Sequence, residues 1–200
     1  MYIPPDFEVA DRAWVLELID RFPFGLLVTA DGLSHLPMIA EVRDDELWVL
    51  GHVARANAHA LSIANQQPAT IVFTGAHAYV SASWYEKPYV TVPTWNYSAA
   101  HLCGTLREAN AWDVVVRLTA KFEHGQADAW DPQRLEPGFR ENQLRGIVAF
   151  EMCAQAIFAK AKLSQNRSLA DRTRVIARLS QSPDQVAAQC AQDMQRTLRR

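Results

Sequence analysis

The sequence predicts an α+β fold that is mainly β, an antiparallel barrel with inserted and C-terminal helices. Six or more short strand-like runs follow one another along the 200 residues, and turn residues that favour hairpins separate most of them. Segments with helical periodicity are inserted between these runs and follow them. An antiparallel sheet of this size tends to close into a small barrel, because closure removes its exposed edges.

The N-terminal half predicts an extended arm, a helix and a meander of strands. Two prolines favour an extended arm over 1–8, and a helical pattern over 9–20 ends at Phe22-Pro23. Strand patterns follow over 25–30, 35–43 and 46–50, with turns at Asp31-Gly32 and Asp44-Asp45. The next predicted elements are a short helix over 54–65 and strands over 69–74 and 77–81, which meet in a turn at Gly75.

The C-terminal half predicts two more strands and three helices. A strand over 99–107 precedes a helix over 112–124 whose apolar side carries Val115, Val116, Leu118 and Phe122. Prolines and a glycine indicate a loop over 126–139, and a long apolar run predicts a strand over 147–157. Helices over 169–179 and 183–198 follow, so we expect a barrel domain over 1–165 and a helical extension packed on it over 166–200.

The composition argues against several classes of protein. A net charge of -2 and a pI near 6.3 do not suit a large basic surface for nucleic acid, although a small basic patch is compatible with them. Three widely spaced cysteines form neither a disulfide framework nor a zinc pattern, and they fit a reducing cytoplasm. The first residues lack a signal-peptide pattern, and no apolar run approaches the ~20 residues of a membrane span. We therefore expect a cytoplasmic protein with no membrane partner.

The segment Thr94-Trp95-Asn96-Tyr97 combines two aromatic rings, an amide and a hydroxyl directly after Pro93. Proline cannot donate a ladder hydrogen bond, so the segment is expected at the entrance of the strand that follows it. There its aromatic faces and polar tips could meet a ligand or a second subunit. The alternative is ordinary packing in a core or an interface.

A second cluster, Gly51-His52-Val53-Ala54-Arg55-Ala56-Asn57, lies between a predicted strand and a predicted helix. Free backbone N–H groups and the positive end of a helix dipole occur at such junctions. With His52, Arg55 and Asn57 the junction becomes a candidate phosphate cradle. The alternative is that Asn57 or His52 caps the helix and Arg55 lies in solvent.

A third cluster is rich in hydrogen-bond donors and runs from Lys160 to Arg167, with Lys162, Ser164, Gln165 and Asn166 between them. It could bind a carboxylate, a phosphate or the polar edge of an aromatic ring. The alternative is a solvated turn in which Ser164 or Ser168 caps the next helix. The six histidines show no metal-ligand spacing, and Ser81, Ser83 and Cys103 lack nucleophile patterns, so no metal or catalytic residue is predicted.

Several segments occur in an order that is found in one protein family. They are Met1-Tyr2-Ile3-Pro4 with Phe7, Phe22-Pro23-Phe24-Gly25, Ser34-His35-Leu36-Pro37, the cluster from Gly51 to Asn57, Tyr79-Val80-Ser81 with Trp84-Tyr85, the run from Val92 to Tyr97, and the run from Lys162 to Arg167. Over residues 1 to about 180 the chain thereby resembles the PaiB-like family, which is described as FMN-binding negative transcriptional regulators.

The resemblance implies an FMN-binding split β-barrel, an architecture shared with pyridoxamine-phosphate oxidases and flavin reductases. It also implies a homodimer with flavin in a groove between barrels. In that arrangement His52, Arg55 and Asn57 would hold the FMN phosphate, and His35 and Pro37 would lie beside the flavin ring. Thr94, Trp95, Asn96 and Tyr97 would reach the groove, and Lys162, Ser164, Gln165 and Asn166 would close its polar side.

Three functions remain open from the sequence. The first is a negative transcriptional regulator or flavin-linked sensor, with possible DNA contact through a basic C-terminal patch formed by Arg167, Arg172, Arg174, Arg178, Arg196, Arg199 and Arg200. The alternative for this patch is a solvated helix face. The second is a flavin-dependent oxidoreductase or flavin reductase, in which the cofactor carries the electrons. The third is a split barrel that handles heme.

Overall fold

The computed structural model describes residues 1–198. Within them, the strands are β1 (Phe24–Thr29), β2 (Gly32–Pro37), β3 (Ile39–Arg43), β4 (Glu46–Ala54), β5 (Pro68–Val80), β6 (Thr94–Glu108), β7 (Ile147–Cys153) and β8 (Ala156–Lys162). The helices are α1 (Arg12–Arg21), α2 (His59–Ala64), α3 (Ala111–Glu123), α4 (Pro137–Arg145), α5 (Leu169–Ser180) and α6 (Gln185–Arg196). In this described part of the chain, no helix has both the length and the apolar character that a membrane span requires.

Residues cluster into two compact units. The first unit contains 1–14, 74–100 and the chain from 158 onward, and the second contains 15–73 and 101–157. Strands β5 and β6 contribute residues to both units. The segment predicted as a helical extension therefore belongs to the first unit, and the domain boundary at residue 165 stays a prediction.

The second unit is organised around an antiparallel sheet. Its strands, with the portions of β5 and β6 that belong to it, are paired in the order β2-β1-β5-β6-β7-β4-β3. Apolar side chains alternate with partly exposed ones, as a half-buried sheet requires, and Leu27, Val49, Ile71 and Phe150 are fully buried. Helix α3 covers part of the sheet, because Val114 and Leu118 pack against Leu50 and Ala149.

The first unit combines strand pairing between β6 and β8 with the helix pair α5 and α6. Ser168 caps α5 by accepting from the Asp171 N–H at 3.1 Å, and Asp184 caps α6 by accepting from the Val186 N–H at 2.9 Å. The apolar faces of these helices are buried through Val175, Leu179, Cys190 and Met194. The predicted helices over 169–179 and 183–198 are thus confirmed.

In the predicted meander, the turn at Asp44-Asp45 is confirmed and the single strand over 35–43 is wrong. Asp44 and Asp45 form the predicted turn between β3 and β4, with φ angles of 48° and 61°. The predicted strand over 35–43, however, is interrupted at Met38, whose N–H bonds the Pro23 carbonyl at 2.9 Å. Pro37 cannot donate to a ladder and the Met38 side chain is fully buried, so β2 pairs with β1 while β3 pairs with β4.

Six other element predictions were wrong. Gly75 does not turn the chain, because β5 continues through it, and β6 begins at Thr94 instead of residue 99. The run over 147–157 is two strands, β7 and part of β8.

Part of the predicted loop over 126–139 forms the start of α4, since Pro137 occupies the first turn of that helix, where a proline N–H is not needed. Helix α3 buries Val114 and Leu118, whereas Phe122, which was predicted on its apolar side, is 43% exposed. Helix α2 is shorter than predicted.

Candidate functional site

The predicted site residues fall into two groups, one in each unit. The first unit contains Thr94, Trp95, Asn96, Tyr97, Lys162, Ser164, Gln165 and Asn166. The second contains His35, Pro37, His52, Arg55 and Asn57. Both groups combine cationic or imidazole side chains with amides, which are donors suited to a polar or anionic ligand.

A cavity of about 150 Å³ in the first unit, the polar pocket, joins the start of β6 to the end of β8. Five predicted residues line it, namely Thr94, Asn96, Lys162, Ser164 and Asn166. Pro93 precedes β6, so the segment 94–97 forms the first four residues of the strand instead of lying ahead of a strand that starts at residue 99. Because side chains alternate along a strand, Thr94 and Asn96 share one face of β6 and Trp95 lies on the other.

Lys162 is held in the polar pocket by two hydrogen bonds. Its ammonium donates to the Thr94 hydroxyl and, at 2.7 Å, to the Trp95 carbonyl. Burial lowers the pKa of Lys162, and the like charges of Lys160 and Arg167 lower it further. An ammonium has three N–H donors, so these two bonds leave one for a ligand.

A buried amide and a buried hydroxyl line the pocket beside Lys162. Asn96 donates to the Ser164 hydroxyl at 2.9 Å, and that hydroxyl donates back to the Asn96 carbonyl oxygen at 3.1 Å. Ser164 has a left-handed φ of 64°, which places it in a tight turn after β8. Gln165 braces this turn, since its side chain bonds the Leu163 N–H at 2.7 Å and the Ala161 carbonyl. Gln165 therefore shapes the pocket without lining it.

Two polar residues of this pocket were missing from the predicted set, Tyr85 and Arg167. The Arg167 guanidinium lies 4.9 Å from the centre of the Tyr85 ring, an arrangement that cation–π attraction favours. Tyr85 is 2% exposed, and its hydroxyl is buried with no hydrogen-bond partner among the described residues. Arg167 could have been found from the donor-rich run, whereas nothing in the sequence connects Tyr85 with that run.

Trp95 lines a different cavity of the first unit, the aromatic pocket of about 380 Å³, with His77, Tyr79 and Trp84. Its ring centre lies 6.1 Å from that of Tyr79 and 6.4 Å from that of His77. Trp95 is 54% exposed, so much of its surface is available to a planar ligand or a partner. Tyr97 is engaged elsewhere, because the Lys160 ammonium lies 5.2 Å from the centre of its ring.

In the second unit, Arg55 is tied to the backbone where α4 ends. Its guanidinium donates to the Arg145 carbonyl at 2.6 Å and to the Ile147 carbonyl at 2.8 Å. A guanidinium carries five N–H donors, so three remain after these two bonds. Arg55 and Asn57 line a cavity of about 420 Å³, the Arg55 pocket, which Glu108 also lines.

Asn57 stabilises the turn before α2, one residue ahead of the N-cap residue Ala58. Its side-chain oxygen Oδ1 accepts from the His59 N–H at 3.0 Å, and its side-chain amide donates to the Ser34 hydroxyl at 3.1 Å. The imidazole of His59 is buried and bonded to the Thr29 hydroxyl at 3.0 Å. Burial lowers the pKa of His59, although the charge of Asp31 opposes this effect. These contacts fix the backbone that carries Arg55.

The remaining predicted residues of this unit differ in exposure. His52 is partly buried on β4, its Nδ1 is buried without a hydrogen-bond partner in the described chain, and burial lowers its pKa. His35 and Pro37 are exposed on β2, where the His35 ring stacks on Phe24 with 6.0 Å between ring centres. Within residues 1–198, no three His, Cys, Asp or Glu side chains come together as metal ligands.

The predicted basic patch is partly occupied by contacts within the protein. Arg172 donates to the Thr197 hydroxyl at 2.7 Å, and Arg174 lies 3.5 Å from the Glu86 carboxylate. Arg178 lines the aromatic pocket. Arg199 and Arg200, which complete the predicted patch, lie outside the described residues.

Comparison with known proteins decides the family. A family model described as "Putative FMN-binding domain" matches residues 1–156. "Protease synthase and sporulation protein PAI 2" from Bacillus subtilis (strain 168) is 32% identical over 207 residues, which cover 100% of this chain and 99% of that protein. The chain belongs to the PaiB-like family of FMN-binding domains.

Solved structures agree with the split-barrel fold of this PaiB-like chain. The FAD and heme binding protein from Mycobacterium smegmatis has a TM-score of 0.56 at 18% identity, over 78% of this chain and 73% of that one. The flavocytochrome Anf3 from Azotobacter vinelandii has a TM-score of 0.56 at 12% identity, over 76% and 68%. The predicted α+β split barrel is therefore confirmed, and family membership makes FMN the cofactor.

Proposed function

We propose that this PaiB-like protein binds FMN through the Arg55 pocket and acts as a homodimeric negative transcriptional regulator or flavin-linked sensor. The observation that carries the proposal is the fixed guanidinium of Arg55, which keeps three N–H donors beyond its two carbonyl bonds. Such an oriented guanidinium suits the phosphate of FMN, because charge-assisted hydrogen bonds to phosphate are strong. When bound, FMN would supply redox or sensing chemistry.

The donor set of the second unit fits a flavin phosphate and its neighbouring polar groups. His52 has a buried Nδ1 without a protein partner in the described residues, and burial favours its neutral form, which can donate or accept one hydrogen bond. Glu108 lines the Arg55 pocket, which His52 does not, and would repel an anion, so the phosphate is expected on the Arg55 side. His35 and Pro37 stay predictions for contacts with the ring.

The residues of the first unit extend the proposal to a second copy of the chain. Thr94, Asn96 and Tyr97 remain predicted flavin contacts from the partner subunit, and Trp95 is the predicted aromatic wall. Support for a dimer comes from the exposed apolar side chains of Tyr89, Val90 and Val92, since such groups often mark interfaces. The B. subtilis relative is named for protease synthase and sporulation, and the regulatory role is what the resemblance to the PaiB-like family implies.

A flavin titration tests the phosphate assignment. FMN and riboflavin are titrated into the wild type, Arg55→Ala and the control Arg134→Ala, whose arginine side chain is 87% exposed. Loss of charge-assisted bonds is expected to weaken FMN on the order of 10- to 100-fold in Arg55→Ala, with riboflavin nearly unchanged. Because Arg55 also holds the end of α4, melting temperatures are recorded for each variant. Equal losses for both flavins would remove Arg55 from the phosphate site.

Light scattering and gel shifts test the regulatory part of the proposal. A homodimer is expected at twice the 22.5 kDa mass of the chain, and specific retardation is expected with the protein's own upstream DNA. Binding that is lost at high salt equally for all sequences would mean non-specific contact and would contradict a repressor. Sustained NADH or NADPH turnover with bound FMN would favour the oxidoreductase instead.

A further inference from the structure

The polar pocket concentrates positive charge without a compensating carboxylate. Lys162 and Arg167 line it, and the charge of Lys160 also acts on Lys162. None of these three cations makes an ion pair within residues 1–198, and no acidic side chain is among the lining residues. Like charges that are held together in a partly buried site repel one another, and a bound anion would remove this repulsion.

Unused hydrogen-bond donors lie in the same pocket. The Tyr85 hydroxyl is buried without a partner among the described residues, although tyrosine hydroxyls usually find one. The Arg167 guanidinium stacks on the Tyr85 ring and makes no side-chain hydrogen bond in the described chain, so its N–H edge is available. The third N–H of Lys162 is also unused. Three residues that line this cavity thus keep donors without a partner among the described residues.

We propose that the polar pocket binds an oxyanion, a phosphate or a carboxylate group, through Tyr85, Lys162 and Arg167. Its volume of about 150 Å³ is sufficient for such a group. The oxyanion is either the phosphate group of FMN or the phosphate or carboxylate group of a separate small ligand. The inference does not rest on the Arg55 pocket, because different residues carry it and different variants test it.

The experiment measures inorganic phosphate and acetate binding by calorimetry in a chloride buffer of constant ionic strength. The wild type is compared with Tyr85→Phe, Arg167→Gln and the control Lys87→Met, whose lysine is exposed in the same unit. Tyr85→Phe removes one hydroxyl and keeps the ring, so folding is preserved. We expect at least one anion to bind saturably, about threefold more weakly in Tyr85→Phe and about tenfold or more weakly in Arg167→Gln.

A parallel titration with FMN and riboflavin distinguishes the two sources. If Tyr85→Phe weakens FMN but not riboflavin, the oxyanion is the flavin phosphate. If Tyr85→Phe leaves both flavins unchanged and weakens phosphate or acetate, the pocket belongs to a separate ligand. The proposal would be overturned if the wild type bound neither anion. It would also be overturned if the variants bound both anions and both flavins as the wild type does. If Arg55→Ala left the affinity for FMN unchanged, the phosphate assignment to Arg55 would fail and the anion site in the polar pocket would be unaffected.

Discussion

The guanidinium of Arg167 lies 4.9 Å from the centre of the Tyr85 ring, while the hydroxyl of that ring is buried without a partner in the described chain. The pair therefore joins a favourable cation–π contact to an unsatisfied polar group. An unpaired buried hydroxyl lowers the free energy of unfolding of the ligand-free protein by about 1 to 3 kcal/mol. A bound oxyanion, as proposed above, would supply the missing partner.

Tyr85→Phe should raise the stability of the ligand-free protein. Removal of the unpaired hydroxyl is expected to increase the free energy of unfolding by about 1 kcal/mol in urea titrations without phosphate. Added phosphate should reduce this advantage, because it stabilises only the protein that binds it well. Tyr89→Phe serves as the control, since Tyr89 is 99% exposed. A loss of stability in Tyr85→Phe would show that the hydroxyl already has a partner.

Trp95→Ala should weaken FMN and riboflavin to a similar extent, because both flavins carry the same ring. Loss of an aromatic face is expected to cost roughly tenfold in each affinity, measured by flavin fluorescence. Trp130→Ala is the matched control, since Trp130 is 50% exposed and Trp95 is 54% exposed. Unchanged flavin affinities in Trp95→Ala would assign Trp95 to packing between subunits.

Glu41 should make stability depend on pH. Burial would raise the pKa of Glu41, but hydrogen bonds from Arg43 and Arg117 outweigh burial and hold it below the ordinary value of 4.5. A carboxylate whose pKa is lowered in the folded state stabilises the protein at pH values above its ordinary pKa. The contribution is lost as the pH falls through the lowered pKa.

Glu41→Gln should therefore reduce the free energy of unfolding by about 1 kcal/mol at pH 7. The difference from the wild type should shrink in acid, as urea titrations between pH 7 and pH 3 would show. Glu46→Gln, at an exposed position, should change little across the range. A difference that persists unchanged in acid would mean that packing, and not charge, explains the effect.

Gly104→Ala should disrupt the second unit. A Cβ at residue 104 would lie 2.1 Å from the Cys153 carbonyl oxygen and 2.9 Å from Cγ of Met152. A loss of about 3 kcal/mol is expected, because backbone must move to relieve the clash. Gly138→Ala is the control, since its Cβ would meet only the Glu136 side chain at 3.5 Å in α4. An equal effect of both substitutions on the urea midpoint would contradict the close strand contact.

Cys190 should resist thiol reagents in the native protein. Burial and the charge of Asp193 raise the pKa of the Cys190 thiol to about 12, so almost no thiolate exists at pH 8. Cys103 and Cys153 are only partly buried and should be labelled first, as mass spectrometry of peptides would show. In urea all three should react at similar rates. Rapid native labelling of Cys190 would mean that α6 opens readily.

Several features of the fold follow from local sequence. Turn residues such as Asp44-Asp45 act within a few residues, as do the capping residues Ser168 and Asp184. The C-terminal helices were predicted correctly because their apolar periodicity and caps agree. The interruption at Met38 was not predicted although Pro37 is visible in the sequence, because full burial of the Met38 side chain depends on residues such as Gly51 that are distant along the chain.

The sequence by itself determined the split-barrel class, the family and five of the residues that line the polar pocket, since these depend on local patterns and motif order. Only the tertiary structure separated Thr94 and Asn96 from Trp95 into two pockets on opposite faces of β6. Only it brought the Tyr85 ring and Arg167 together, tied Arg55 to the end of α4 and showed that Gln165 stabilises a turn without lining the polar pocket. The physical reason is that hydrogen-bond satisfaction and burial depend on neighbours that are distant in sequence, which no local pattern specifies.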